Sequence, residues 1–107
     1  MLIFFVACRR QQSVSTPLNA AERILKDNPD SAFRIIQSIP YPDKLDKEDL
    51  VRWCLIAGKA ADKLNTSLPP SYYFDHAYSW LIKYGITKDQ VDIGLFWGRS
   101  LVADGEY

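Results

Sequence analysis

Residues Lys88–Tyr107, with the sequence KDQVDIGLFWGRSLVADGEY, decide how the rest of the chain is interpreted. Thr87 stands just before this stretch and Gln90 follows three residues later, which is the spacing of a capping box at a helix start. Gly105 can adopt the positive φ with which many helices end. The stretch therefore predicts one helix with its own start and stop signals.

The same start signal occurs 41 residues earlier, at Asp46 and Asp49. At this offset, small or apolar residues align with small or apolar residues, and the aligned pairs are Cys54 with Leu95, Ala57 with Gly98, Ala60 with Leu101, and Ala61 with Val102. Periods of this length are typical of stacked helical hairpins. A single recurrence also arises by chance between two amphipathic helices.

Trp97-Gly98, Leu101 and Gly105-Glu106-Tyr107 together resemble the first helix and turn of a tetratricopeptide repeat. Gly94 stands where that family prefers Trp, and Ala57 replaces the helix glycine in the unit before. The resemblance covers residues 18–107 and is strongest at their end. It implies a domain of antiparallel helical hairpins, stacked as an α-solenoid, that serves as a protein–protein interaction scaffold.

The whole pattern predicts an all-α chain of about five helices. Asn28 is suited to the N-cap and Pro29 to the first position of a short second helix, and Gly85 is suited to the C-cap of the fourth. The expected helices are Leu18–Asp27, Pro29–Ile39, Lys47–Asn65, Ser71–Tyr84 and a fifth that starts near Lys88.

Residues 1–8, MLIFFVAC, form an apolar run that ends abruptly at two arginines. The last four of them resemble a bacterial lipobox, in which Cys8 is lipidated after signal cleavage. The alternative is an ordinary apolar strand or helical turn. Residues 9–17 read as a flexible tether. We therefore expect a lipoprotein anchored in the bacterial cell envelope by Cys8, with its domain outside the cytoplasm.

Charge and motifs argue against several function classes. Thirteen basic and thirteen acidic residues leave no net charge for binding nucleic acid. Cys54 lies on an apolar helix face, as a buried thiol does, and the single histidine, His76, has no ligand-like cluster around it in the sequence. We expect no catalytic site, no cofactor and no metal, and hence no enzyme.

Two surfaces are candidates for binding a protein or peptide partner. The fourth helix carries, besides its core-facing side, a stripe of ring-bearing side chains that either packs on a neighbouring helix or binds a partner: Tyr73, His76, Trp80 and Tyr84. In a tetratricopeptide hairpin, Gly94 and Gly98 would lie under a further helix beyond Tyr107, so the repeat looks truncated. Without that helix, four apolar side chains should be incompletely covered and promote self-association: Leu95, Trp97, Leu101 and Val102.

The second function class is a helix-turn-helix DNA-binding or regulatory protein. Tyr84–Val91 resembles the turn and the start of the recognition helix in that motif. That helix offers only Lys88 and Arg99 as cations, next to Asp89 and Asp92. DNA binding needs many phosphate contacts from Lys and Arg, so we rank this alternative below the scaffold.

Overall fold

The computed structural model describes residues 17–85 and 87–105, which form five α-helices, one 3₁₀ turn and their connecting loops. The expected all-α fold is confirmed for this part of the chain, in which no strand occurs. Cys8, most of the expected tether and Tyr107 lie outside the described residues. The elements are α1 over residues 17–24, α2 over Pro29–Gln37, a 3₁₀ turn over Pro42–Lys44, α3 over Lys47–Leu64, α4 over Ser71–Tyr84 and α5 over Thr87–Ala103.

Side-chain caps begin α2 and α3 as the sequence predicts. The Oδ1 atom of Asn28 accepts the backbone N–H of Ser31 at 3.2 Å, and Pro29 occupies the first turn, where a missing N–H costs little. The Oδ1 atom of Asp46 accepts the backbone N–H of Asp49 at 3.0 Å. Each cap satisfies an amide that would otherwise have no partner and so fixes where the helix starts.

The later helices end in three different backbone conformations. Asn65 ends α3 in the left-handed region, with φ of 56°. Gly85 ends α4 as predicted, but it is extended (φ −92°), and its N–H donates to the Leu81 carbonyl at 2.9 Å. Gly105, after α5, has φ of +82°, which confirms the predicted positive φ.

Helix α3 is the central element of the fold and contacts α2, α4 and α5. Because it has neighbours on several sides, it is apolar around most of its circumference, as a core helix must be. The indole Nε1–H of Trp53 donates to the backbone carbonyl of Ile36, at the end of α2, at 3.1 Å. The buried residues of α3 are Leu50, Val51, Trp53, Cys54, Ile56, Ala57, Gly58, Ala60 and Ala61.

Arg52 joins α3 to α1 through polar contacts at the surface. Its Nη2 atom donates to Oδ1 of Asn19 at 2.5 Å, and its Nε atom donates to the carboxylate of Glu22 at 3.0 Å. Burial alone would lower the pKa of Arg52, but the hydrogen bond and charge of Glu22 outweigh it, with help from Asp49, and raise that pKa. The two helices are therefore joined by a permanently charged guanidinium.

Helix α5 approaches α3 closely at a glycine that the sequence analysis did not select. A Cβ atom on the buried Gly58 would lie 2.5 Å from the nearest ring carbon of Phe96. Only the absence of a side chain lets the Phe96 ring pack there. The resemblance assigned this kind of close approach to Gly98, around which there is open space, and to Gly94, which instead faces the Tyr78 ring of α4.

Helices α4 and α5 form a hairpin whose short connection is tied by a side chain. The Nε2 atom of Gln90 donates to the backbone carbonyl of Leu81 at 2.8 Å. The predicted capping box at the start of α5 is therefore wrong, because Thr87 is already helical and Gln90 bonds the preceding helix. The Leu81 carbonyl also accepts the Gly85 N–H, so the Gln90 amide is its second donor and uses the second lone pair of the oxygen.

The open end of the same hairpin is closed by two further hydrogen bonds. The Oδ2 atom of Asp104 accepts the backbone N–H of Ser71, the first residue of α4, at 3.0 Å. The buried hydroxyl of Ser100 donates to the carbonyl of Pro69 at 3.0 Å. Pro70, at the N-cap position of α4, makes no capping bond of its own. The residue that caps α4 is thus supplied by the end of α5.

The 41-residue offset aligns residues with different surroundings. The four paired residues of α3 are fully buried, whereas Leu95 and Val102 are 63% and 59% exposed, Gly98 is exposed and Leu101 is half-buried. The reason is position: α3 has helices on several sides, while the described chain covers α5 on one side. The incomplete coverage expected on α5 is therefore present at Leu95 and Val102. The residues that the 41-residue offset pairs are not equally buried in the two helices.

Candidate interaction surface

The predicted stripe of α4 lies on a part of the helix that α3 and α5 leave incompletely covered. We call Tyr72, Tyr73, His76, Trp80 and Tyr84 the aromatic face. Tyr73, His76 and Trp80 are half-buried, and Tyr84 is 71% exposed. The sequence offered packing or partner binding as alternatives for the stripe. In the structure Tyr73 does pack on α3, while Tyr84 remains available to another molecule.

The N-terminal end of the aromatic face, at Tyr73, borders an open apolar groove of about 450 Å³. Tyr73 forms one wall and meets the ring of Trp53 edge-to-face, with 5.1 Å between the ring centroids. Because Trp53 is held by its bond to Ile36, the wall is rigid. The opposite wall comes from the end of α2 and the loop after it, and the other apolar lining residues include Phe33, Ile39, Pro40, Pro42, Leu68, Pro69 and Pro70.

Three aromatic rings near the N-terminal end of the face contact one another edge-to-face. Tyr72, which the sequence analysis did not include, meets the imidazole of His76 edge-to-face at 4.5 Å and the ring of Tyr73 at 5.3 Å. Tyr72 is 53% exposed. These contacts restrain three neighbouring side chains, so a partner that binds here causes only a small further loss of side-chain conformational entropy.

Toward the C-terminal end of α4, the face borders a second, more polar depression of about 330 Å³. Trp80 lines it together with Asp46, Lys47 and Glu48 from the start of α3. The rings of Trp80 and Tyr84 lie 5.6 Å apart, in a tilted arrangement. The face thus runs from an apolar groove to a depression with charged walls.

Chemical groups that could support catalysis are sparse in the described residues. Cys54 is fully buried and unpaired in the described chain, as predicted, and burial raises the pKa of its thiol. A neutral buried thiol is a poor nucleophile. Across residues 17–85 and 87–105, no three His, Cys, Asp or Glu side chains come together as a metal site would require.

The repeat-signature residues do not gather at one place. Ala57 is buried in α3, and Gly105 ends α5. Trp97 packs on Tyr78, with 5.3 Å between ring centroids, beside the contact that Gly94 makes with the same ring. Of the signature residues that the structure describes, Ala57 also lines the groove beside Tyr73, and none lines the depression beside Trp80.

The cations of α5 face carboxylates, which bears on the helix-turn-helix alternative. Lys88 lies 3.7 Å from Asp92, and Arg99 lies 3.1 Å from Asp62 of α3. Carboxylates next to both cations repel phosphate and reduce the electrostatic attraction that DNA binding requires. This arrangement makes α5 a poor candidate for a DNA-recognition helix.

The sequence analysis missed two residues of this surface. Tyr72 lies four residues before His76 and so has the i, i+4 spacing of the stripe, which could have identified it. Trp53 is on a different helix, and the groove that it supports depends on where α2 ends.

The helices in the described ranges lack the length and apolarity needed to cross a bilayer. Searches of protein-family models, curated proteins and solved structures found no match to this chain.

Proposed function

We propose that this chain is a non-enzymatic interaction scaffold of tetratricopeptide type, which binds a protein or peptide segment along the aromatic face of α4. The observation that carries the proposal is the continuity of that face with two open depressions. Interaction hot spots are enriched in Tyr and Trp held in well-packed positions. The aromatic face provides four Tyr and Trp rings on one helix, of which Tyr73 and Trp80 are half-buried.

The geometry indicates what kind of segment fits. Tyr73 and Trp80 are seven residues apart on one helix, which places them about 10 Å apart along the axis at 1.5 Å per residue. A peptide in the polyproline II conformation covers that distance in about three residues at 3.1 Å each, and its three residues per turn place side chains i and i+3 on the same side. We therefore expect a peptide with one apolar side chain in the groove and a second anchor on Trp80 three residues away.

A peptide-display selection against the purified chain tests the proposal. Selected peptides should share two anchors at that spacing, and Tyr84→Ala should weaken their binding about tenfold, the typical effect of losing a hot-spot contact of 1–2 kcal/mol. Ile82→Ala is the matched control, because Ile82 is 56% exposed and lies on the same helix but outside the aromatic face. Equal weakening by both variants, or none by Tyr84→Ala, would contradict the proposal.

We also propose that the chain is a bacterial lipoprotein held at the cell envelope by lipid on Cys8. The support is the lipobox-like end of residues 1–8. Lipid would anchor the chain to the membrane without spanning it. Cys8→Ala should release the expressed protein from the membrane fraction, with Cys54→Ala as the control that leaves it bound. Recovery of an uncleaved protein in the cytoplasm, with residues 2–7 intact, would rule out this anchor.

A further inference from the structure

The outer side of α5 carries a regular apolar seam that the described chain does not cover. Val91, Leu95 and Val102 are 56%, 63% and 59% exposed, and Gly98 is exposed between them. The spacings of four, three and four residues are those of the a and d positions of a coiled coil. We define these four residues as the α5 seam.

We propose that the α5 seam binds the α5 seam of a second copy of this chain, with the two helices antiparallel. This surface differs from the aromatic face of α4 and does not depend on the function proposed for it. An antiparallel arrangement centred between Leu95 and Gly98 places Leu95 of each copy opposite Gly98 of the other. It also places Val91 opposite Val102. A large side chain then meets an open glycine, around which a Cβ atom would touch nothing within 4 Å.

The charges beside the seam select the antiparallel direction. Asp92 follows Val91 and Arg99 follows Gly98, so both lie on the same flank. In the antiparallel pair, Asp92 of one copy is within about 3 Å of Arg99 of the other along the axis, at two residues of offset. In a parallel pair, this flank of one copy and the same flank of the other lie on opposite sides of the interface, so Asp92 and Arg99 do not meet across it. Flanking charges are known to set the orientation of paired helices in this way.

The intramolecular partners of these charges do not prevent the pairing. The side chains of Arg99 and Asp62 are 52% and 61% exposed, and those of Lys88 and Asp92 are 76% and 28% exposed. An ion pair at the surface contributes little to stability, so Arg99 can exchange Asp62 for another carboxylate, and the half-buried Asp92 keeps one accessible side. A single helix face is a small interface, and we expect half-maximal association on the order of 100 µM.

Disulfide trapping tests both the occupant and the direction. We would introduce Val91→Cys and Val102→Cys separately, each with Cys8→Ser, and oxidise each protein alone and both mixed. The proposal predicts covalent dimer mainly in the mixture, because residue 91 of one copy faces residue 102 of the other. Dimer in each single sample at the level of the mixture would indicate a parallel or random encounter and overturn the proposal. No dimer in any sample would overturn it as well.

Sedimentation equilibrium of the otherwise native chain provides a second test. Leu95→Glu should raise the apparent dissociation constant at least tenfold, whereas Tyr41→Glu, an equally exposed site far from the seam in sequence, should not change it. Asp92→Arg and Arg99→Asp should each weaken association, and the double variant should restore it. If the double variant is no better than either single one, the proposed charge contacts are wrong.

Discussion

Gly58 and Gly98 are both helical glycines, yet they stand in opposite surroundings. Gly58 is buried against the Phe96 ring, while the Cβ position of Gly98 is open. Alanine favours a helix over glycine by up to about 1 kcal/mol at either site. The two sites therefore separate the effect of helix propensity from the effect of packing.

We expect Gly58→Ala to destabilise the fold and Gly98→Ala to stabilise it. Overpacking typically costs 1–3 kcal/mol, so after the gain in propensity the free energy of unfolding should fall by about 1–2 kcal/mol in Gly58→Ala. It should rise by about 0.5–1 kcal/mol in Gly98→Ala. Urea denaturation at low protein concentration measures both. A shift of the same sign in the two variants would show that the Phe96 ring moves aside without cost.

The buried indole of Trp53 provides a second prediction for a single residue. Trp53→Phe removes the N–H that bonds the Ile36 carbonyl, although that carbonyl still accepts the backbone N–H of Ile39 at 3.2 Å. The net contribution of one hydrogen bond to stability is about 0.5–1.5 kcal/mol. We expect a loss of that size in urea denaturation. Trp97→Phe is the control, since its ring is half-buried and stacks on Tyr78. A smaller loss for Trp53→Phe than for Trp97→Phe would contradict this assignment.

At the scale of helices, the α4–α5 hairpin depends on contacts between its ends. Gln90 bonds the last turn of α4, and Asp104 caps the first turn of α4. The hydrogen bond from the Ser71 backbone lowers the pKa of Asp104 below its usual value of 3.8. A carboxyl group whose pKa is lowered in the folded state stabilises the fold above its unfolded pKa, and this contribution is lost as the pH falls through the folded pKa.

Asp104→Ala should therefore lower the melting temperature at neutral pH, and the difference from the native chain should shrink as the pH falls below about 4. Asp104→Asn keeps an oxygen that can accept the Ser71 N–H but has no charge to titrate. Its difference from the native chain should be smaller at neutral pH. Thermal melts followed by circular dichroism between pH 2.5 and pH 7 measure both variants. A difference for Asp104→Ala that does not depend on pH would contradict the cap.

The helices could be predicted from the sequence because their signals are local. Asn28 and Asp46 each cap an amide three residues away, and Gly105 is the residue type that tolerates positive φ. The contacts between helices could not be predicted in the same way. Gln90 has the spacing of a capping box, but its amide reaches Leu81, and which bond forms depends on how closely α4 approaches.

The candidate site was only partly predictable for the same reason. The helical spacing of Tyr73, His76 and Trp80 placed them on one face of α4. The groove beside Tyr73 needs Trp53, the loop after α2 and the prolines before α4, and these segments are distant in sequence. The close approach of α3 and α5 is a similar case. The repeat alignment selected Ala57, but the residue that contacts Phe96 is its neighbour Gly58, which only the position of α5 reveals.

At the scale of the whole molecule, α3 is the element on which the other helices pack. Cys54 lies at its centre and is fully buried. A thiol in that position becomes accessible only when the helices around it separate, and burial also raises its pKa and so suppresses the reactive thiolate. Its modification rate therefore reports opening of the core.

We expect Cys54 in a Cys8→Ser variant to react with a thiol reagent at least on the order of 100-fold more slowly in buffer than in denaturant. Gly58→Ala should speed the reaction, because it weakens the packing of α5 on the same helix. Gly98→Ala should not. Mass spectrometry over time measures the rates. Rapid labelling under native conditions would show that the core opens locally without unfolding.

The cap that Asp104 places on α4 has a consequence for how the protein is made. Ser71 and Asp104 are 33 residues apart, so at roughly 5–20 residues per second the ribosome adds the cap about 2–7 s after the amide that needs it. Throughout that interval the beginning of α4 is already synthesised but has neither its own capping side chain nor that of α5. The speed of translation between the two residues therefore sets how long the start of α4, which carries the aromatic face, remains uncapped before the α4–α5 hairpin can form.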